Sequence, residues 1–321
     1  MKKIHIKGLN LQLIPSVTII LAIVSGCISS TASTPDSTLT KLPPGSTQTV
    51  KITDNQASTL PPTYKSTIQP TSTITLQPSQ VVTLTPAIKP STVLPVLVAP
   101  NELVTKMLGE VNIDRATTDL KRLTGVEPIC TDTGCHTIAN RMTGSEGLGW
   151  AKDYIFQELS GQGYSVEIQD WSREGYTDQN LIVRKPGAVN PEEEIYVVAH
   201  VDGVDSPAAD DNASGAVDLL ELARVFSKYP TGRTLVMLFS TGEEQGTLGV
   251  ESYLSHLSAR EISAIKDVVN IDMVSYDANQ DGVMQLWDGG HAPSMVLTKM
   301  MGETIQAYQL KLTPHYITGC T

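Results

Sequence analysis

Acid and imidazole groups gather where apolar runs end in this sequence. I-Y-V-V-A-H runs into His200 and Asp202. T-L-V-M-L-F-S runs into Thr241, Gly242, Glu243 and Glu244, and D-V-V-N-I runs into Asp272. A-A-D-D-N-A-S-G at 208–215 places Asp210 and Asp211 just before a helical pattern. Taken singly, each group has an ordinary use. One of Asp210, Asp211 and Asn212 caps the following helix, the Glu pair makes a solvated turn, and Asp272 makes a strand-end salt bridge. Taken together these uses fail, because like charges brought close raise one another's pKa. No Lys or Arg lies between Lys185 and Arg224 to offset them. Carboxylates with a histidine and no cationic partner call for a metal. Mixed imidazole and carboxylate ligation favours Zn2+, with Mn2+ or Co2+ as substitutes.

The spacing within each run adds detail. Residues i and i+2 of a strand face the same side, so Asp202 is placed to accept a hydrogen bond from the imidazole of His200 and fix its tautomer. Adjacent Glu243 and Glu244 diverge, so one carboxylate can bind metal while the other faces substrate as a general base. Metal lowers the pKa of bound water to about 7. The reaction these groups suit is metal-assisted hydrolysis.

Three apolar strands must therefore deliver their carboxyl ends to one edge of a sheet, where ligands sit in open α/β folds. Periodicity predicts helices over 101–123 (stripe Leu103, Met107, Leu108, Val111), 146–160 (Trp150, Tyr154, Ile155 and Leu159 inward), 214–228, 247–257 and 292–308. It predicts strands over 164–171, 180–184, 194–200, 234–240, 267–272, 283–287 and 311–317. Strands alternating with helices indicate an α/β domain around a mixed, largely parallel sheet flanked by helices.

Composition confines that domain to residues 101–321. They hold 32 acidic and 16 basic side chains and all but one of the aromatics. An acidic balance argues against a nucleic-acid partner, whose phosphates need a basic surface. Residues 28–100 hold 11 of the 19 prolines and 26 Ser and Thr, with Tyr64 as the lone aromatic. Such a segment has too little to bury to form a core and is expected to be an extended, disordered linker over 27–100, roughly 50 Å end to end. Residues 1–26 carry basic Lys2, Lys3 and Lys7, then an apolar run broken by Gln12 and Pro15. That run is short for a spanning helix and fits a secretory signal. V-S-G-C at 24–27 resembles the lipobox of prokaryotic lipoproteins. The resemblance implies lipidation of Cys27, export to the cell surface, and contact with a membrane through the lipid anchor alone. In an oxidising compartment, Cys130 and Cys135 are expected to bridge each other and leave Cys320 without a partner in the chain. The competing reading is zinc binding by Cys130, Cys135 and His136, which lacks a fourth ligand.

A-H-V-D at 199–202, A-D-D-N-A-S-G at 209–215, G-E-E-Q-G at 242–246 with Gly249, and N-I-D-M at 270–273 together resemble metallopeptidase family 28. These are the co-catalytic zinc exopeptidases of the aminopeptidase Y and bacterial leucyl aminopeptidase type. N-R-M-T-G-S at 140–145 is similar to the family's R-x-x-G-S run. The likeness covers about residues 104–321 and implies the zinc-exopeptidase fold, of phosphorylase/hydrolase-like type. It further implies two Zn2+ ions and a peptide substrate. His200 and Asp272 would bind one ion, Asp211 would bridge both, and Glu244 would bind the second. Asp202 would orient His200, and Glu243 would be the base. The family's late S-D-H-type run, which supplies the last histidine ligand, has no match here, so the chain is expected to be truncated at its carboxyl end. His315, in a strand-interior context, is the nearest substitute. His291 reads as a loop residue, and His136 and His256 as surface or packing residues.

The leading expectation is an exported aminopeptidase. The alternatives are a glutaminyl cyclase or carboxypeptidase-type hydrolase on the same scaffold, and a non-catalytic metal-binding surface module.

Overall fold

The computed structural model describes residues 2–3, 99–132 and 134–319. The rest of the expected signal segment, the lipidation site Cys27, nearly all of the expected linker and Cys320 lie outside the described residues.

Strand β6 (Arg233–Ser240) is buried along its whole length, as expected of an unbroken apolar run in the middle of a sheet. It lies between β5 (Asn190–His200), to which it is parallel, and β4 (Tyr176–Lys185), to which it is antiparallel. β3 (Val166–Arg173) forms an antiparallel hairpin with β4 and makes one edge; β7 (Ile265–Asn270), parallel to β5, makes the other. The five-stranded sheet is therefore mixed, parallel on the side that ends in the acids and antiparallel on the other. Parallel β8 (Val283–Asp288) and β9 (Thr313–Thr318) pair separately, and Lys2–Lys3 bridges to β8. A short hairpin, β1 (Ile129–Thr131) and β2 (Gly134–His136), sets Cys130 opposite Cys135, and their sulfurs are bonded.

Strand alternation sends side chains to two cores. Leu235, Met237 and Phe239 of β6 face α3 (Glu146–Gly161) and α4 (Gly215–Phe226), meeting Leu148, Ile155, Leu219 and Ala223. Val236 and Leu238 face the opposite layer, where α5 (Leu248–His256) contributes Val250 and Tyr253. α7 (Ala292–Ala307) extends the first core over β8 with Leu297 and Met301.

The expected helix over 101–123 is two helices, α1 (Glu102–Gly109) and α2 (Ile113–Leu123). Asn112 breaks it: its side chain accepts a hydrogen bond from Arg115 N at 2.9 Å and starts a new helix. The inward stripe of α1 is Val104 and Met107, while Leu103 is 40% exposed. A short helix, α6 (Ala259–Ala264), was not expected; a capping box joins Ser258 and Glu261 at its start. Among the described residues no helix is long and apolar enough to cross a membrane.

Candidate metal centre

β5, β6 and β7 are parallel, with His200 opposite Ser240 and Val198 opposite Asn270, so β5 and β6 end at one level and β7 ends two residues short of it. His200 is the last residue of β5, Glu243 and Glu244 lie just beyond β6, and Asp272 lies two residues beyond β7. Asp211 arrives from the tight turn Ala209–Ser214 that leads into α4. His200 Nε2 lies 3.2 Å from Asp211 Oδ1 and 3.8 Å from Asp272 Oδ1. One ligand atom from each of His200, Asp211 and Asp272 falls within 4.8 Å of the other two.

This trio suits a divalent cation. His200 is 2% exposed, yet its Nε2 makes no hydrogen bond of acceptable geometry. A buried imidazole nitrogen aimed at two carboxylates is arranged for a shared positive charge. The side chain of Asp211 is 47% exposed, so the group opens to solvent on that side, as a site that admits water and substrate requires. Burial disfavours the charged imidazole, but the carboxylates of Asp202, Asp211 and Asp272 outweigh it and hold the His200 pKa well above its usual value.

Asp202 is fully buried. His200 Nδ1 faces its backbone carbonyl at 3.2 Å and its carboxylate Oδ1 at 3.6 Å, so the hydrogen-bond contact to the imidazole runs through the peptide oxygen. Oδ2 of Asp202 accepts from Glu244 N at 3.2 Å and Thr143 Oγ1 at 3.3 Å, tying the β5 end to the β6 end. Burial raises the Glu243 pKa, Asp272, Asp202 and Asp211 raise it further, and His200 opposes. Burial also raises that of Glu244, followed by Asp211. Glu244 stands outside the three-residue group.

The three residues of D-D-N have separate partners. Asp210 Oδ1 accepts from Ser275 N at 2.8 Å, Ser275 Oγ at 3.0 Å and Tyr276 N at 3.0 Å. Asn212 Oδ1 accepts from Gly215 N at 2.9 Å and Met273 N at 3.2 Å, and its amide donates to Ile271 O at 2.8 Å. Both therefore bind the turn before α4 to the chain around Asp272, and the peptide between Asp211 and Asn212 is cis. Gly242, at φ +75°, lets the Glu243 turn pass over Trp171, whose indole N–H donates to Thr241 Oγ1 at 2.8 Å.

The other histidines among the described residues stand elsewhere. His315 is an exposed residue within β9, His291 is an exposed residue before α7, and His256 Nδ1 contacts Ser252 O at 2.7 Å. His136 stacks on Trp150 with ring centroids 4.3 Å apart.

Arg141 was not singled out by the sequence as a site residue. It is fully buried, and its guanidinium donates to four backbone carbonyls around the centre. Its place in N-R-M-T-G-S, one of the runs that carry the family likeness, is the signal that marks it.

Residues 180–318 match the model of Peptidase family M28. Over 100 residues the chain is 39% identical to aminopeptidase YwaD of Bacillus subtilis, covering 30% of this chain and 22% of YwaD. The chain's matches span 22% to 33% of the first curated relatives' own length. Solved structures that share the fold include two of different stated chemistry. The LapA aminopeptidase of Legionella pneumophila has a TM-score of 0.56 at 22% identity, over 70% of this chain and 58% of LapA. The glutaminyl cyclase of Macrostomum lignano has a TM-score of 0.53 at 15% identity, over 70% of this chain and 77% of the cyclase. The residues that converge at the strand ends all lie inside the matched segment, and that segment belongs to peptidase family M28.

Proposed function

We propose that the chain is a zinc-dependent exopeptidase, an aminopeptidase that removes residues from the amino ends of peptides with Glu243 as general base. The observation that carries this reading is the convergence within 4.8 Å of His200 and Asp272, from the ends of parallel strands, with Asp211, from the turn before α4. His200 and Asp272 would hold one Zn2+, and Asp211 would bridge to a second held by Glu244. Bound zinc supplies a Lewis acid for the scissile carbonyl and lowers the pKa of water to about 7. Asp202 keeps His200 in the tautomer that presents Nε2. Glu243 has a carboxyl whose pKa burial and neighbouring acids raise above the usual carboxylate range against His200, and it would take a proton from the attacking water and pass it to the leaving amine. Export and lipid anchoring at Cys27 belong to the same proposal, and equal lipid labelling of wild type and Cys27→Ser would remove the lipid anchor and leave an ordinary secretory signal.

The decisive experiment is turnover of aminoacyl-p-nitroanilides by wild type and Glu243→Gln, with zinc content measured on both. The variant is expected to lose about 10²–10⁴-fold in kcat while keeping its zinc. Full activity in the variant removes Glu243 as base. Cyclisation of an amino-terminal glutamine without amide hydrolysis by the wild type assigns it to glutaminyl cyclase chemistry. Zinc binding with neither reaction assigns it to a metal-binding module.

A further inference from the structure

Arg141 ties the end of α2 to both ends of the loop between His200 and Asp211. Its Nε donates to Val201 O at 2.8 Å, the carbonyl between His200 and Asp202. Nη1 donates to Leu123 O at 2.6 Å, the end of α2, and to Pro207 O at 2.9 Å; Nη2 donates to Ala208 O at 2.8 Å. Pro207 and Ala208 lead directly into Asp210 and Asp211. The main chain reinforces the link, since Gly203 N donates to Arg141 O at 3.0 Å. The guanidinium thus holds the loop that follows His200 and the turn that delivers Asp211, with α2 as the fixed third point.

We infer that Arg141 is a positioning residue that sets the spacing between His200 and Asp211, and so the affinity of the centre for its metal. The inference rests on the zinc reading above. A planar guanidinium with fixed N–H directions can engage acceptors on three sides at once. A lysine ammonium in the same place has three N–H bonds at a single point and leaves part of this carbonyl set unsatisfied. Arg141 also faces Asp202, Asp211 and Glu244 electrostatically, and burial brings its pKa down to about 10 against their opposition. It therefore remains a cation beneath the acidic cluster at neutral pH. Gly203 serves the same arrangement: a Cβ there would stand 2.5 Å from Ala208 Cβ and push the turn away from the guanidinium.

The test is zinc affinity by competition with a chromogenic chelator on the full chain, well below the thermal midpoint of each variant. Arg141→Lys is expected to bind zinc about 10–100-fold more weakly, the usual cost of losing support for metal ligands. Tyr253→Phe, on the opposite face of the sheet, is the control for destabilisation alone and should stay within about twofold of wild type. If Arg141→Lys does not fold, Gly203→Ala displaces the same turn with the arginine retained, and its affinity should fall too. Wild-type affinity in whichever of these variants folds overturns the inference and leaves the zinc reading intact. A wild-type chain that binds no zinc refutes the zinc reading itself, and this inference with it.

Discussion

Replacing Asp267 with Asn should stabilise the protein at neutral pH. Asp267 lies inside β7, three residues before its carboxyl end, and is 2% exposed. Its Oδ2 is buried without a hydrogen-bond partner. Burial pushes its pKa up to about 6; Arg233 opposes that shift and Glu193 adds to it. The reference value is 3.8, so the gap is about 2 pH units, or about 3 kcal/mol. A pKa raised on folding means that the folded state binds the extra proton. The stability tied to that proton is fully present below about pH 4 and is lost as pH rises through about 6. Above pH 7 the wild type carries the whole penalty, and the neutral amide does not. The variant should match wild type near pH 4 and exceed it by about 3 kcal/mol at pH 7.5, a large share of a typical domain's stability. Urea unfolding of both proteins at closely spaced pH values, with chelator present to keep metal out, measures this difference. If Asp267→Asn is the less stable protein at pH 7.5, attraction to Arg233 outweighs burial and the reasoning is wrong.

Other perturbations test the parts of the centre separately. Gly242→Ala adds a Cβ 2.6 Å from the Trp171 ring at φ +75°; it should cost about 1–3 kcal/mol in urea unfolding and lower kcat by displacing Glu243. Asn212→Ala removes the partner of Ile271 O, Gly215 N and Met273 N. It should cost at least about 2 kcal/mol and weaken zinc binding, measured by chelator competition. Ser258→Ala breaks the capping box of α6 and should cost about 1 kcal/mol while leaving zinc affinity unchanged. Peptidase activity should vanish on dialysis against chelator and return with added Zn2+; activity that survives chelation refutes the metal reading.

Much of the architecture follows from patterns that survive in a linear sequence. L-V-M-L-F at 235–239 is apolar at every position and too short for a helix of usual length, the pattern of a strand covered on both faces, and it lies in β6. A parallel strand covered on both faces ends at the sheet edge, so the polar residue that terminates it projects beyond the core. That is why His200 and Asp272 could be located from the sequence. Helix boundaries were less legible where one side chain decides them. Asn112 interrupts a stretch whose helical propensity is otherwise continuous, and the outcome depends on whether its carboxamide finds the N–H of Arg115. Glu110 is also drawn off α1 toward Lys228 Nζ, which it meets at 2.8 Å. α6 has only six residues and no buried side chain, so its capping box of Ser258 and Glu261 comes with no hydrophobic period to detect.

Backbone acceptors were the least legible feature, and they decide which acid does what. D-D-N presents three side chains of similar reach, and side-chain type alone leaves all three free to cap a helix. The structure separates them by the peptide groups each satisfies. Asp210 is used by the N–H groups of Ser275 and Tyr276, and Asn212 by those of Gly215 and Met273 together with the carbonyl of Ile271. Asp211 is left facing His200 Nε2 with its carboxylate half in solvent. Every residue offers a carbonyl and all but proline an N–H, so no pattern of residue types can announce such contacts. The same holds for Arg141, whose four acceptors are all peptide oxygens. An arginine beside three acidic strand ends would be read as their salt-bridge partner. In the fold its hydrogen bonds go instead to main-chain carbonyls of the loop that follows β5 and of the end of α2, which carry no sequence signature.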